Sequence, residues 1–342
     1  MRNHKKNRVE RYDLERSPFA QRPTQREIAG LLGESRDDLR RLVNYKEQFI
    51  VQRTETSGKK VRNLAYPISR LRAVHERMKF HLNKVKQPSY LFSPRKNKSQ
   101  ADNAEKHLDK QQYLTLDIKQ FYPSTTYSMI KNFFEYEMAV YKDVAGLLAH
   151  AFSIDGRASF GSPLTPVLCT LVHRDMFDGI AAACDGRRFN YSVWVDDITI
   201  SGRFIPGEFV QEIRGLVSDK GLKSHKIVYR TGNRPVFITG IGVVGRNLIA
   251  PNNMHLRIRD LWKQAHEAET VEEKEACITR LLSELGTLRR IAGRSAKVGR
   301  KAAEQMHSLR QKLAKLRRQR ATSRPEVADS DTLPVAEEDR PF

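Results

Sequence analysis

Apolar positions along this chain switch between a period of two and a period near 3.6, and each switch marks an element. Ile28, Leu31, Leu32, Leu39 and Leu42 recur at helical spacing around Gly33-Glu34-Ser35, which predicts two short helices and a turn over residues 23–43. Such a pair could read DNA or form a helical packing layer, and the packing layer is the expectation. Phe49-Ile50-Val51-Gln52 and Val61-Arg62-Asn63-Leu64-Ala65-Tyr66 flank Ser57-Gly58-Lys59-Lys60, a hairpin signal with a basic tip. Pro67 ends the second strand, and Leu71, Val74, Met78 and Leu82 then mark a helix. Residues 84–98 read as a basic loop and residues 101–108 as a short helix.

Leu114-Thr115-Leu116-Asp117-Ile118 is a buried strand ending on a carboxylate, followed by a turn at Phe121-Tyr122-Pro123-Ser124 and an amphipathic helix from Ser128. Gly161-Ser162-Pro163-Leu164-Thr165-Pro166 precedes one apolar helix over 167–180. Tyr191 to Trp194 and Ile198 to Gly202 form a hairpin around Asp196-Asp197, and a helix covers 209–220. Strand character broken by glycines fills 226–244, and the chain from Pro251 to Arg320 is helical and basic. Irregular alternation of strands and helices predicts an α+β fold with an antiparallel sheet.

The 342 residues suffice for a sizeable core in two or three subdomains. A net charge of +21 points to a polyanionic partner, with nucleic acid ahead of an anionic membrane surface. No apolar run approaches the roughly 20 residues that span a bilayer, and no secretory signal is visible. Cys169, Cys184 and Cys277 lack metal-site spacing and are expected as small buried apolar groups in a reducing cytoplasm. Arg289, Arg290, Arg294, Lys297, Arg300 and Lys301, then Arg310, Lys312, Lys315, Arg317, Arg318 and Arg320, face one acid, Glu304. That imbalance predicts phosphate-backbone binding.

Two adjacent carboxylates at a hairpin tip repel, and a hard divalent cation such as Mg²⁺ or Mn²⁺ is the simplest compensation. The control is internal: Asp37-Asp38 follows Ser35 and reads as ordinary helix N-terminal charge. If the Asp117 strand neighbours the Asp196-Asp197 hairpin in one antiparallel sheet, three carboxylates converge. They would suffice for two ions about 3.5–4 Å apart in an in-line phosphoryl transfer. Lys60, Arg62 and Lys226 are candidates to neutralise a triphosphate. This chemistry serves a polymerase or a nuclease equally.

The intervening motifs resemble those of reverse transcriptases. Residues Leu116 to Ser124 look like the first palm motif, Gly161 to Pro166 the second and Trp194-Val195-Asp196-Asp197 the third. Lys59 to Arg62 with Tyr66-Pro67, and Gly221 to Lys226, match in order and spacing. Asn103-Ala104-Glu105-Lys106-His107 and Ile238-Thr239-Gly240 are similar to two signatures of the bacterial retron type. Without the resemblance, His107 reads as a hydrogen-bonded helix histidine and Ile-Thr-Gly as a strand end entering a turn.

Charge and scarcity of large apolar groups predict a basic arm over 1–22 and an acidic, disordered tail over 322–342; between them the resemblance implies a right-hand polymerase, with N-terminal helices and fingers over 23–110, palm over 111–245 and helical thumb over 246–321. It implies an RNA-directed DNA polymerase that uses two Mg²⁺ ions, with Mn²⁺ as a possible substitute. Such an enzyme copies part of a cognate structured non-coding RNA into single-stranded DNA from dNTPs. An RNA 2′-hydroxyl primes the copy and leaves a branched RNA–DNA product, in antiphage defence with an effector protein, in the bacterial cytoplasm and without a membrane.

Carried over residue by residue, Asp117, Asp196 and Asp197 match the metal-binding triad, with the Ile118 carbonyl as a further ligand. Tyr122 matches the steric gate against ribose. Arg62 matches a fingers cation on the triphosphate, and Lys226 the lysine near the departing pyrophosphate. Gly161 would let the backbone approach the nucleotide. Asn103, His107, Ile238, Thr239 and Gly240 are implied to position RNA. Phe160 stands where the family commonly has Gln, Trp194-Val195 where it has Tyr-Ala, and Ile238 where it has Val. A non-retron defence-associated or group II-like reverse transcriptase, and a catalytically idle RNA-binding protein of the same fold, are the alternatives.

Overall fold

The computed structural model describes residues 10–57, 60–231, 234–293 and 295–322, with the backbone alone at 57, 60–62 and 321–322. Its contacts divide the chain into two units between Leu248 and Ile249.

The first unit opens with α1 (Gln25–Leu32), started by a capping box between Thr24 and Glu27 and ended by Gly33 in the left-handed conformation. α2 (Arg36–Asn44) follows, with Ser35 accepting from the Asp38 amide, so Asp37-Asp38 does lie at a helix N-terminus. β1 (Ile50–Ser57) and β2 (Lys60–Pro67) form a separate antiparallel ribbon. α3 (Ser69–Leu82) buries Leu71, Val74, Met78 and Leu82, as their spacing predicts.

Residues 84–98, expected as a loop, contain the three-residue strand β3 (Leu91–Ser93). A strand this short carries no readable alternation. α4 (Gln100–Glu105) stops before His107, which sits in the turn beyond it. β4 (Gln112–Ile118) ends at the candidate carboxylate and leads into the single helical turn α5 (Phe121–Ser124). α6 (Tyr127–Asn132) runs into a π-helical turn at Phe133–Glu137, and α7 (Lys142–Phe152) follows.

The apolar run expected as one helix is two, α8 (Thr165–Val172) and α9 (Arg174–Asp185). His173 leaves helical geometry between them, and its buried ring is held 2.9 Å from Thr125 Oγ1. β5 (Asn190–Trp194) and β6 (Asp197–Gly202) make the expected hairpin, and α10 (Gly207–Asp219) packs behind it. β7 (Ser224–Thr231), β8 (Val236–Ile238), β9 (Ile241–Val244) and β10 (Asn247–Ile249) complete the strands.

The main sheet has the order β3-β5-β6-β4-β7, and β10-β9-β8 form a smaller one. Every pair in the main sheet is antiparallel except β3 with β5. Cross-strand partners share a face. Leu114, Leu116, Ile118, Tyr191, Val193, Ile198 and Ile200 point into one core with Phe177 and Ile180 of α9 and Phe209 and Ile213 of α10. The opposite face carries Thr115, Asp117, Ser192, Trp194, Asp197, Thr199 and Ser201. One face therefore holds the sheet in place and the other is left for polar groups. The α+β expectation agrees with this architecture.

The second unit comprises α11 (Asn252–Glu267), α12 (Val271–Ala292) and α13 (Lys297–Thr322). Ile278, Leu281, Leu285 and Leu288 of α12 and Ala302, Met306, Leu309 and Leu313 of α13 form the buried stripes where these two helices pack. Pairing across that seam revises the unbalanced charge of α13: Arg317 reaches Glu275 at 2.7 Å, and Arg320 reaches both Glu275 and Glu272. Charge read along one helix missed acids supplied by its neighbour. Lys297, Arg300 and Lys301 are exposed, Arg289 is half-buried and Arg290 exposed, while Arg294 lies outside the described residues. Residues 1–9 of the basic arm and 323–342 of the acidic tail also lie outside them. Cys169 and Cys184 are buried as expected, and burial pushes both thiols up to about 12, whereas Cys277 is partly exposed.

Candidate active site

Asp117 and Asp197 are direct partners in the β4–β6 register, so both carboxylates leave the same face at the same end of the sheet. Asp196 occupies the two-residue turn before Asp197, and Trp194 closes that turn by pairing with Asp197. The other turn residue, Val195, has φ 61°, a left-handed conformation that costs a β-branched residue about 1–3 kcal/mol. Backbone bonds hold it: Val195 N–H donates to Ser93 C=O at 3.0 Å and Ile118 N–H to Asp196 C=O at 3.0 Å. β3, unforeseen in the sequence, is thus the prop behind the turn.

Both oxygens of Asp117 are engaged by cationic or imidazole groups. Lys226 Nζ donates to Oδ2 at 2.6 Å, and His225 Nδ1 lies 3.0 Å from Oδ1. The pairing of β4 with β7 shifts register between Thr115 and Asp117, where β7 carries an extra residue, and Lys226 has φ 50° within that bulge. A bulge re-aims side chains, and here it accompanies the turn of Lys226 onto the carboxylate. The hydrogen bond to Asp117 raises the Lys226 pKa.

Asp197 keeps an exposed edge, yet desolvation against the sheet end, then repulsion from Asp196 and Asp117, pushes its pKa up to about 6. Lys226 and His225 pull it the other way without cancelling the effect. Three hard carboxylates whose repulsion is only partly relieved fit Mg²⁺ or Mn²⁺ in kind. Among the described residues no three His, Cys, Asp or Glu side chains stand close enough to hold an ion. Lys226 and His225 occupy both oxygens of Asp117. Ile118 has a buried side chain, which leaves only its backbone for such a role.

Tyr122, on α5, lies close enough to Asp196 for that charge to add to burial in raising its hydroxyl pKa. Its ring meets Phe160 edge-on, with centroids 5.3 Å apart. Phe160 also lines a cleft of about 470 Å³ with Arg53, Asn63, Ala65, Pro123 and Arg157. Gly161 is required by a neighbour in the protein itself: a Cβ there would overlap the Ala65 carbonyl on β2. Ser159 Oγ donates to that same carbonyl at 2.8 Å, and Ser162 Oγ lies 2.7 Å from Nδ1 of buried His75. His75 Nε2 sits 2.9 Å from the Ala151 carbonyl and must be its protonated nitrogen, so Ser162 donates to Nδ1. The side chains of Lys60 and Arg62 lie outside the described residues, although both backbones belong to β2.

The two outlying signatures meet in space. Asn103 Nδ2 donates to Thr239 Oγ1 at 3.4 Å. Ile238 is buried, Thr239 half-buried and Gly240 exposed. His107 is fully buried in the turn beyond α4. Sequence reading missed the roles of His75, His225, Ser192 and Ser201, because each is defined by a partner on another element and local periodicity carries no mark of that partner.

No family model matches this chain. The retron Mx65 reverse transcriptase of Myxococcus xanthus is 25% identical over 249 residues, which cover 65% of this chain and 57% of that protein. Two solved structures also align: telomerase from Candida albicans with a TWJ fragment of telomeric RNA, and apo telomerase from Candida tropicalis truncated from its C-terminal domain. The first has a TM-score of 0.45 at 11% identity and covers 70% of this chain and 55% of that one. The second has a TM-score of 0.43 at 10% identity and covers 64% and 61%. The chain thus spans somewhat over half the length of its curated relative, and in sequence it is similar to a retron reverse transcriptase.

Proposed function

We propose that this chain is an RNA-directed DNA polymerase of retron type, which copies part of a cognate structured RNA into single-stranded DNA from an RNA 2′-hydroxyl and leaves a branched product. The observation that carries this reading is the cross-strand pairing of Asp117 with Asp197, with Asp196 on the adjoining turn. The +21 charge and the exposed cations of α13 support a polyanionic partner. In this proposal residues 23–110 supply N-terminal helices and fingers, 111–245 the palm and 246–321 the thumb.

In this reading Asp117, Asp196 and Asp197 hold the divalent ions, which when bound supply charge neutralisation and activation of the attacking hydroxyl. Tyr122 crowds the position of a ribose 2′-hydroxyl, with Phe160 fixing its ring from the side. Lys226, released from Asp117, places its ammonium beside the leaving phosphate oxygens. Arg53 and Arg157 give the cleft beside Phe160 two cations suited to a template backbone. Defence against phage with an effector protein, in a bacterial cytoplasm, completes the proposal. No helix among the described residues is long and apolar enough to cross a membrane.

The test is to purify the protein with its co-expressed RNA, assay DNA synthesis beside Asp196→Asn, and sequence the nucleic acid. A branched RNA–DNA species made only by the parent protein is the expected result. An unbranched product points to the non-retron reverse transcriptases. Equal synthesis by Asp196→Asn removes the catalytic assignment.

A further inference from the structure

Asn103 and His107 straddle the end of α4, and the chemistry above uses neither. His107 Nδ1 lies 2.7 Å from Ser201 Oγ and Nε2 lies 2.7 Å from Ser192 Oγ. Burial drives its pKa down to about 3, so the ring is neutral, donating to one hydroxyl and accepting from the other. Ser192 precedes Asp196 by four residues on β5, and Ser201 follows Asp197 by four on β6. Both lie on the sheet face that ends in Asp197. One imidazole therefore ties together the two arms of the hairpin that presents the carboxylates. The Lys106 carbonyl adds a third tie, accepting from Asn190 Nδ2 at 2.6 Å.

The other end of this segment is anchored elsewhere. Asn103 is buried, donates to Thr239 Oγ1, and leaves its Oδ1 without a partner. Thr239 and Gly240 form the turn between β8 and β9, with φ of 47° and 86°. That conformation suits Gly240 but strains a threonine, and such strain persists only where the surroundings impose it. α4 packs on β8 and β9. The chain of contacts runs from the β8–β9 turn through Asn103 and His107 to the arms of the Asp196-Asp197 hairpin.

We propose that α4 and His107 form a strut that positions the Asp196-Asp197 turn and takes its own placement from Thr239, which makes Asn103 and His107 positioning residues rather than RNA contacts. A two-residue turn at the end of a hairpin can twist about its arms. Clamping both arms limits that twist, and a misplacement of about 1 Å at a reacting centre costs roughly 10²-fold in rate. The kinetic part of this inference rests on the polymerase reading; the placement of the turn does not.

Trp194 pairs with Asp197, and Trp262 is the other of the two tryptophans. In a Trp262→Phe background, Trp194 fluorescence reports on the turn. The full chain carrying Asn103→Ala, Thr239→Val, both, or Thr239→Ser is compared by acrylamide quenching of Trp194. The same proteins are assayed for kcat and KM for dTTP on poly(rA)·oligo(dT), and for Kd of that duplex. Asn103→Ala and Thr239→Val should each raise quenching and lower kcat about tenfold, with KM and Kd within about twofold. Thr239→Ser should restore both, and the double variant should be no worse than the more severe single one. Lost duplex affinity with unchanged kcat and quenching overturns the strut in favour of RNA contact, and additive losses overturn the relay. If the parent incorporates no dTTP, the polymerase reading fails, and the quenching comparison alone upholds or overturns the strut.

Discussion

Lys226 donates to Asp117 Oδ2 at 2.6 Å across the bulge between β4 and β7. The ammonium stands where cationic charge is required, at a carboxylate whose neighbours are Asp196 and Asp197. It also competes with any metal ion for Asp117. Replacing it by Gln should tighten binding of Mn²⁺ to the nucleotide-free protein several-fold, about 3–10-fold, because one competing cation is removed. Mn²⁺ titration followed by electron paramagnetic resonance checks this, and weaker binding by Lys226→Gln would refute the competition.

Repulsion among the three carboxylates has a cost in the metal-free protein. Asp197→Asn should raise the melting temperature in EDTA by about 1–3 °C while reducing DNA synthesis by at least about 10²-fold. Differential scanning fluorimetry and primer extension measure the two effects. A fall in melting temperature would show that Asp197 supports the hairpin more than it strains it.

Gly161 faces the Ala65 carbonyl at a separation that leaves no room for a Cβ. Gly161→Ala must push β2 or the loop over residues 159–164 aside, at a cost of about 1–3 kcal/mol. Urea denaturation should show the midpoint falling with unchanged slope. A neutral substitution would mean that the ribbon of β1 and β2 yields freely.

Three buried histidines make the first unit acid-sensitive. Burial lowers His75 and His173 to about 4 and His107 to about 3, from an ordinary value of 6.5. Between those values the unfolded chain binds more protons, so stability is present above pH 6.5 and is lost as pH falls toward 4. Asp197, raised to about 6, works in the opposite sense by one proton, which leaves the net uptake on unfolding positive. Melting temperature should therefore drop steadily from pH 7 to pH 4.5, and a flat profile would show that these rings are hydrated.

The Asp triad was legible because its carboxylates stand at the ends of β-rich apolar runs, and such runs have few places to go but a sheet. The α3 stripe and the α1–α2 pair were legible for the same local reason, with Gly33 and Ser35 marking the turn between the pair. β3 was not, since three residues in a basic segment show no period. The break at His173 was not, since the ring's partner there, Thr125, lies 48 residues away in the chain.

By itself the sequence determined most of the element types, the position of Asp117 and of the Asp196-Asp197 turn at strand ends, and an excess of positive charge, all of which follow from local spacing and composition. Tertiary structure decided the rest: the register that sets Asp117 against Asp197, the bulge that accompanies Lys226 on Asp117, and the burial that turns His107 into a clamp. It also decided which cations of α13 are already paired. Each depends on a partner distant in the chain, and a hydrogen bond or steric contact leaves no trace in local periodicity.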